Sequence, residues 1–145
     1  SKWADMLRKA ISLVFKNGEK VFVVRRSLNK PSYPGAWSIP STYIHESEDV
    51  VSAAKRLAQH KLGLDSVTLG NTIGTSPIVN RDDHELQMTD ILIDSSAGNF
   101  VLNPDEYTES RWVTTKELAE LIERDNGGQM GECTKTLLKS EGLLS

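Results

Sequence analysis

Residues 34–64 read PGAWSIPSTYIHESEDVVSAAKRLAQHKLGL. A Pro-Gly turn leads to Trp37, then to a polar loop, then to a helical pattern. Ser47 is a suitable cap, and Glu48 and Asp49 suit the positive end of a helix dipole. Val50, Val51, Ala54, Leu57, Ala58 and Leu62 fall on one stripe at i, i+3, i+4 spacing. Gly63 is a natural terminator. The spacing predicts a helix over 47–62, packed by one face and entered from a loop that can approach a ligand.

The flanking segments read as strands and helices in alternation. Trp3, Met6, Leu7 and Ala10 recur at helical spacing and suggest a short leading helix. Residues 11–15 and 21–24 are apolar and β-branched, with Lys16-Asn17-Gly18-Glu19 between them, which is a hairpin signal. Residues 27–35 hold Asn29, Pro31, Pro34 and Gly35 and read as a loop. Residues 67–79 and 86–93 read as strands around the polar turn Asn80-Arg81-Asp82-Asp83-His84. Arg111-Trp112-Val113 forms a strand that runs into a helix over 115–124, opened by the capping-box pattern Thr114-x-x-Glu117. Gly127-Gly128 breaks it, and 134–144 suggests a last short helix. This interleaving predicts an α+β fold, a mixed sheet between helices.

The chain has 145 residues, enough for one domain with a real core. A net charge of −3 argues against a general nucleic-acid or membrane surface. No apolar run approaches the roughly 18 residues of a membrane span. The single cysteine, Cys133, has no partner in the chain for a disulfide, which fits a reducing, cytoplasmic setting. A start at Ser rather than Met leaves a trimmed chain or a missing partner domain open. The sequence leaves the oligomeric state open as well, a homodimer included. The expected organisation is one domain over 1–145, with a core over about 10–125 and a tail over 126–145.

Four stretches together resemble the Nudix family: Val21-Phe22-Val23-Val24-Arg25-Arg26, Tyr33 through Pro40, Ser47 through Leu64, and Glu109-Ser110-Arg111-Trp112-Val113 with Glu117-Leu118. The resemblance implies an α/β/α sandwich, a diphosphate-containing substrate and divalent ions, usually magnesium, held by helix glutamates. Glu48 and Arg56 match the family's first glutamate and its arginine, a largely structural pair, and Gly63 matches the ending. The family's glutamates at 57, 60 and 61 are here Leu57, His60 and Lys61. Its two glycines after Pro40 are Ser41 and Thr42, which tolerate positive φ poorly but offer hydroxyls. Relative to three carboxylates, the local charge changes by about +4. Each unit-charge pair at ~4 Å is worth on the order of 4 kcal/mol at an effective dielectric of about 20, before solvent screening. Magnesium needs hard oxygen ligands, which Leu57, His60 and Lys61 do not supply. No cofactor is therefore expected, with magnesium only if hydrolysis survives.

Lys61 has two readings: an ammonium that contacts a phosphate directly, or a solvated helix residue. Leu57 fits an extension of the core. His60, with His45, Glu46 and Glu48, offers at most a weak transition-metal set. Arg25 and Arg26 leave a strand on opposite faces, and one can reach a phosphate. With Ser41, Thr42 and Lys61 they form the candidate ligand-binding set. Trp37 and Tyr33 suit either core packing or base stacking. The turn 82–85 is either a hairpin tip or a source of a base. Asn103-Pro104-Asp105-Glu106 resembles a family segment, so Glu48, Glu106 and Glu109 are the candidate catalytic acids if the chain is active. The isopentenyl-diphosphate isomerase branch needs a cysteine in the loop after the Trp. Ser41 and Thr42 stand there, and the only cysteine, Cys133, lies far down the chain, so the isomerase-branch reading is rejected. Three functions compete: a module binding a nucleotide or other diphosphate metabolite without classical magnesium-dependent hydrolysis; a divergent pyrophosphohydrolase; and a structural or interaction domain.

Overall fold

The computed structural model describes residues 6–81, 83–125 and 129–142. Two sheets share the core. The first has the order β5 (Ser41–Tyr43), β1 (Leu7–Val14), β8 (Glu85–Ala97), β6 (Ser66–Thr75), with β7 (Val79–Asn80) also on β8. β1 and β8 run parallel and the other pairs antiparallel, so the sheet is mixed. The second sheet joins β2 (Lys16–Asn17), β3 (Lys20–Arg26) and β4 (Trp37–Ser38), with β9 (Tyr107–Thr114) also on β3. The helices are α1 (Val50–Arg56), continued by a π-helical turn Leu57–Lys61, then α2 (Thr115–Asp125) and α3 (Gln129–Ser140).

Strands buried on both faces carry continuous apolar runs. Phe22 and Val24 of β3 point into one core with Ile11, Leu13, Leu57, Ala58 and Leu62. Val21 and Val23 point into the other with Val14, Trp37, Val113, Leu118 and Leu137. The strands thus lie between the box helix and the α2–α3 layer, as the α/β/α expectation requires.

Several local expectations need correction. Leu7 and Ala10 lie in a strand, not a leading helix, because β1 pairs along all eight residues with β8 and also with β5. Trp3 lies outside the described residues, as do Asp82 and the Gly127-Gly128 break, and the side chain of Cys133 is likewise undescribed. The Asn-Gly turn is present, with Gly18 at φ 62°, but its outer strand is only β2. The preceding run 11–14 belongs to the first sheet, so the chain changes sheets near Phe15. The helix cap is Asp49, whose carboxylate accepts from Ser52 N at 2.8 Å, not Ser47. Val50 and Val51 are exposed at 41% and 51%, and the buried stripe is Ala53, Ala54, Leu57, Ala58 and Leu62. The capping box of α2 is as expected: Glu117 N donates to Thr114 Oγ1 at 3.2 Å, and Thr114 N donates to Glu117 Oε1 at 3.2 Å.

Candidate functional site

β5 takes the place of a tight glycine loop. No residue from 36 to 62 has a positive φ, so Ser41 and Thr42 sit in extended backbone that any residue adopts. Pairing with β1 fixes them, in register Ser12 with Ser41 and Ile11 with Thr42. The strain expected from replacing two glycines is therefore absent.

The box helix is clamped at both ends. Arg56 donates from Nε and Nη2 to the two oxygens of Glu48, each at 2.9 Å, from Nη1 to Thr42 Oγ1 at 3.0 Å, and from Nη2 to Tyr43 O at 2.7 Å. His45 N adds a third donor to Glu48 at 3.1 Å. The Arg56 bonds, then the His45 amide, hold the Glu48 carboxyl down at about 2. At the other end, Asn103 N donates to Lys61 O at 3.0 Å, Val101 N to Leu62 O at 2.8 Å and Asn103 Nδ2 to His60 O at 3.3 Å. These bonds satisfy carbonyls that a helix end leaves orphaned. Gly63 turns at φ 69°, and a Cβ there would lie 2.5 Å from Val101 O. Gly63 is thus sterically required.

With the helix fixed, the replaced positions diverge. Leu57 is fully buried in the core. His60 is exposed. Lys61 is half-buried and points under the helix, where its Nζ donates to Ser41 O at 3.2 Å. Burial pushes the Lys61 ammonium down from its ordinary value, against the pull of Glu106, whose carboxylate lies 3.7 Å away. Lys30 Nζ contacts the same Glu106 oxygen at 2.7 Å. Burial alone would raise the Glu106 carboxyl, but the Lys30 bond and the Lys61 and Arg26 charges carry it below its usual range.

Lys61 opens onto a cavity of about 270 Å³. Its cationic lining is Arg26, Lys30, Lys61 and Arg81, and its floor holds Ser12, Ser41, Thr42, Tyr43 and Asp90. Arg26 donates from Nε to Ser32 O at 2.9 Å, which braces the 27–35 loop over the cavity. Four cations against Asp90 and the adjacent Glu106 leave a positive excess, so the cavity favours an anion. Ile39, Leu86 and Met88 add an apolar wall. Tyr43 OH meets His84 Nε2 at 3.0 Å, and His84 Nδ1 meets Asp83 Oδ1 at 2.5 Å, so Asp83 and His84 are tied to the cavity floor.

Of the expected ligand-binding set, Arg26, Ser41, Thr42 and Lys61 line this cavity. Arg25 does not. Its Nε holds Gly35 O at 2.8 Å, and its guanidinium lies 3.7 Å from Glu109 across the β3–β9 pairing. Glu109 is turned to that outer pair and to Arg111, away from the cavity. Trp37 is 3% exposed and packs in the core, whereas Tyr33 lines the cavity. Glu48 is engaged by Arg56 and His45, and His60 is exposed. Among the described residues no three His, Cys, Asp or Glu side chains form a metal-holding group. Sequence reasoning missed Ser12, Lys30, Tyr43, Arg81 and Asp90. Ser12 carried a usable signal, as a polar residue inside the buried apolar end of β1; Asp90 carried less, because β8 is itself rich in polar residues.

The NUDIX domain model matches residues 6–132. The chain belongs to the NUDIX domain family. Curated NUDIX relatives include the isopentenyl-diphosphate Delta-isomerase of Cereibacter sphaeroides, 28% identical over 121 residues, covering 78% of this chain and 67% of the relative. That of Dictyostelium discoideum is 26% identical over 147 residues, covering 86% of this chain and 62% of the relative. Among solved structures, the MutT protein from Methanosarcina mazei Go1 superposes with a TM-score of 0.79 at 13% identity, covering 95% of each chain. The E. coli ORF135 protein superposes at 0.77 with 11% identity, covering 94% and 92%. These two likenesses establish the NUDIX fold alone. The isomerase branch, disfavoured by the loop residues, is nevertheless one to which this chain is similar. Kinship and the missing thiol are separate facts.

Proposed function

We propose that this NUDIX chain binds a small diphosphate-bearing molecule in the cavity under Lys61, without a metal held by the box helix and with little or no magnesium-dependent hydrolysis. The observation that carries the proposal is the Lys61 ammonium, fixed on Ser41 O beside Arg26, Lys30 and Arg81. A cation at the position of a family metal ligand can neutralise phosphate oxygens directly. The donor set argues against magnesium: Leu57 is in the core, His60 is outside, and both Glu48 oxygens are taken by Arg56. Glu106, the remaining nearby acid, is engaged by Lys30 and Lys61. The relatives' names, which specify a diphosphate, support the ligand class. The apolar wall of Ile39, Leu86 and Met88 favours a second reading, an isoprenoid diphosphate held without isomerisation.

Calorimetry with pyrophosphate and a panel of organic diphosphates, in excess EDTA, tests the proposal. Binding is expected without metal. Lys61→Ala should weaken it about tenfold or more, since a hydrogen bond to a charged group is worth ~1.5–3 kcal/mol. Absence of binding across the panel, or an unchanged affinity in Lys61→Ala, would refute it. Turnover that needs magnesium and is lost in Glu48→Gln would favour the divergent pyrophosphohydrolase.

A further inference from the structure

The floor of the cavity holds an acid that the phosphate end does not use. Asp90 is 3% exposed and lines the cavity. One of its oxygens accepts from Ser12 Oγ in a short hydrogen bond. No other hydrogen-bond partner for the Asp90 carboxylate is found among the described residues. A carboxylate has roughly four lone-pair sites, and a buried polar group left under-satisfied calls for an explanation. Burial pushes this carboxyl up to about 6, only partly offset by the Ser12 bond.

The sheet fixes where this acid stands relative to the cations. Ser41, Ser12 and Asp90 are register partners on the adjacent strands β5, β1 and β8. Lys61 sits over the first of them. Neighbouring strands are about 4.8 Å apart, so Asp90 lies roughly 10 Å across the floor from Ser41. The cavity is therefore bipolar, with a cationic end under the box helix and an acceptor-only group at the far end.

We infer that Asp90, oriented by Ser12, is a specificity-determining residue that accepts hydrogen bonds from an N–H group of the ligand, at the end opposite its phosphates. The favoured ligand is a diphosphate whose other end carries N–H donors, such as the amino or imino edge of a nucleobase. A hydrocarbon-tailed diphosphate would leave the carboxylate unanswered and bury it further, which costs affinity. Sites built to hydrogen-bond a ligand group reject analogues that lack it, because the site's own polar group is then left unpaired.

The inference rests on the anion-binding reading of the same cavity, and the experiment separates the two. Affinities for pyrophosphate, isopentenyl diphosphate, cytidine diphosphate and guanosine diphosphate are measured by calorimetry in EDTA, for the unmodified chain, Asp90→Asn and Ser12→Ala. Thermal unfolding verifies that each variant is folded. In the unmodified chain at least one nucleoside diphosphate should bind at least tenfold tighter than isopentenyl diphosphate. Asp90→Asn should erase that preference while pyrophosphate binds as before or tighter. Ser12→Ala, which frees the carboxylate to rotate, should reduce the preference and spare pyrophosphate, and it keeps the test available should Asp90→Asn not fold. Equal affinity for all diphosphates, or a preference that survives both substitutions, overturns the role of Asp90 and leaves the anion site standing. Failure of every compound, pyrophosphate included, overturns both.

Discussion

Two carboxylates in this domain are pushed in opposite directions. Glu48 stands at the rim of the box helix with both oxygens engaged by Arg56 and a third donor from His45, and it is held down at about 2. Asp90 stands inside the sheet with Ser12 as its partner, and it is pushed up to about 6. The first has three donors and lies close to solvent, whereas the second has one donor and is 3% exposed. A carboxylate with three donors is a structural clamp with little left for a ligand, whereas an under-satisfied one is where a ligand's donors gain most. Glu48 is the acid that sequence similarity marks, yet Asp90 is the one with bonding capacity to spare.

A third carboxylate, placed where there is no donor and no water, extends the comparison and should give the largest effect. Leu57→Glu restores the residue type of the family at 57, but Leu57 is fully buried among Ile11, Leu13, Phe22 and Leu62. An unpaired charge in that core should destabilise the fold by on the order of 4 kcal/mol or more. Urea denaturation measures it. A variant of near-normal stability that binds magnesium would mean that the helix can rotate to reopen a metal face. The triple reversion Leu57→Glu, His60→Glu, Lys61→Glu inherits this core penalty, so its failure to bind magnesium would reflect folding as much as coordination.

Asp90→Asn comes next and has the opposite sign. The folded-state value of about 6 lies above the ordinary aspartate value of 3.8. Above pH 6 both states are ionised, and the native state carries the full cost of the buried charge. Between the two values the native state is protonated first, and the cost fades as pH falls. Below 3.8 both states are neutral and nothing remains of it. The shift corresponds to about 3 kcal/mol. Asp90→Asn should therefore stabilise the chain by up to about that amount at pH 7.5, with the gain vanishing by about pH 3.5. Paired denaturation curves across that range read the difference, which removes the contribution of other acids, Glu48 among them. A pH-independent gap would mean that the Asp90 carboxyl is not the titrating group.

What could be read in the sequence was mostly local. The box helix, the Glu48–Arg56 pair eight residues apart and the Thr114–Glu117 capping box each depend on a few neighbouring residues, and each is present. The choice of Asp49 over Ser47 as cap, and the exposure of Val50 and Val51, turn on where the first helical turn begins, which two cap-forming residues two positions apart leave ambiguous. β1 was misread because four apolar positions at helical spacing say nothing of β8, whose pairing segment begins 78 residues later. The cavity shows the same limit. Arg26, Lys30, Lys61, Arg81, Ser12 and Asp90 come from separate segments that only the topology assembles. Ser12 and Asp90 were passed over in the sequence, and only the β1–β8 pairing brings them into one contact.

The smallest expected effect completes the set. His60 is exposed on the π-helical turn, and its carbonyl accepts from Asn103 Nδ2. A carboxylate there has water on all open sides, so it meets neither the donors of Glu48 nor the burial of Asp90. The one systematic cost is the negative end of the helix dipole, worth a few tenths of a kcal/mol at an exposed position. His60→Glu should therefore change stability by no more than about 0.5 kcal/mol in denaturation. It should also leave diphosphate affinity in EDTA nearly unchanged, because the side chain does not line the cavity. A large loss of affinity would mean that position 60 turns inward when ligand binds, and the box helix would then count as a moving part of the site rather than its fixed wall.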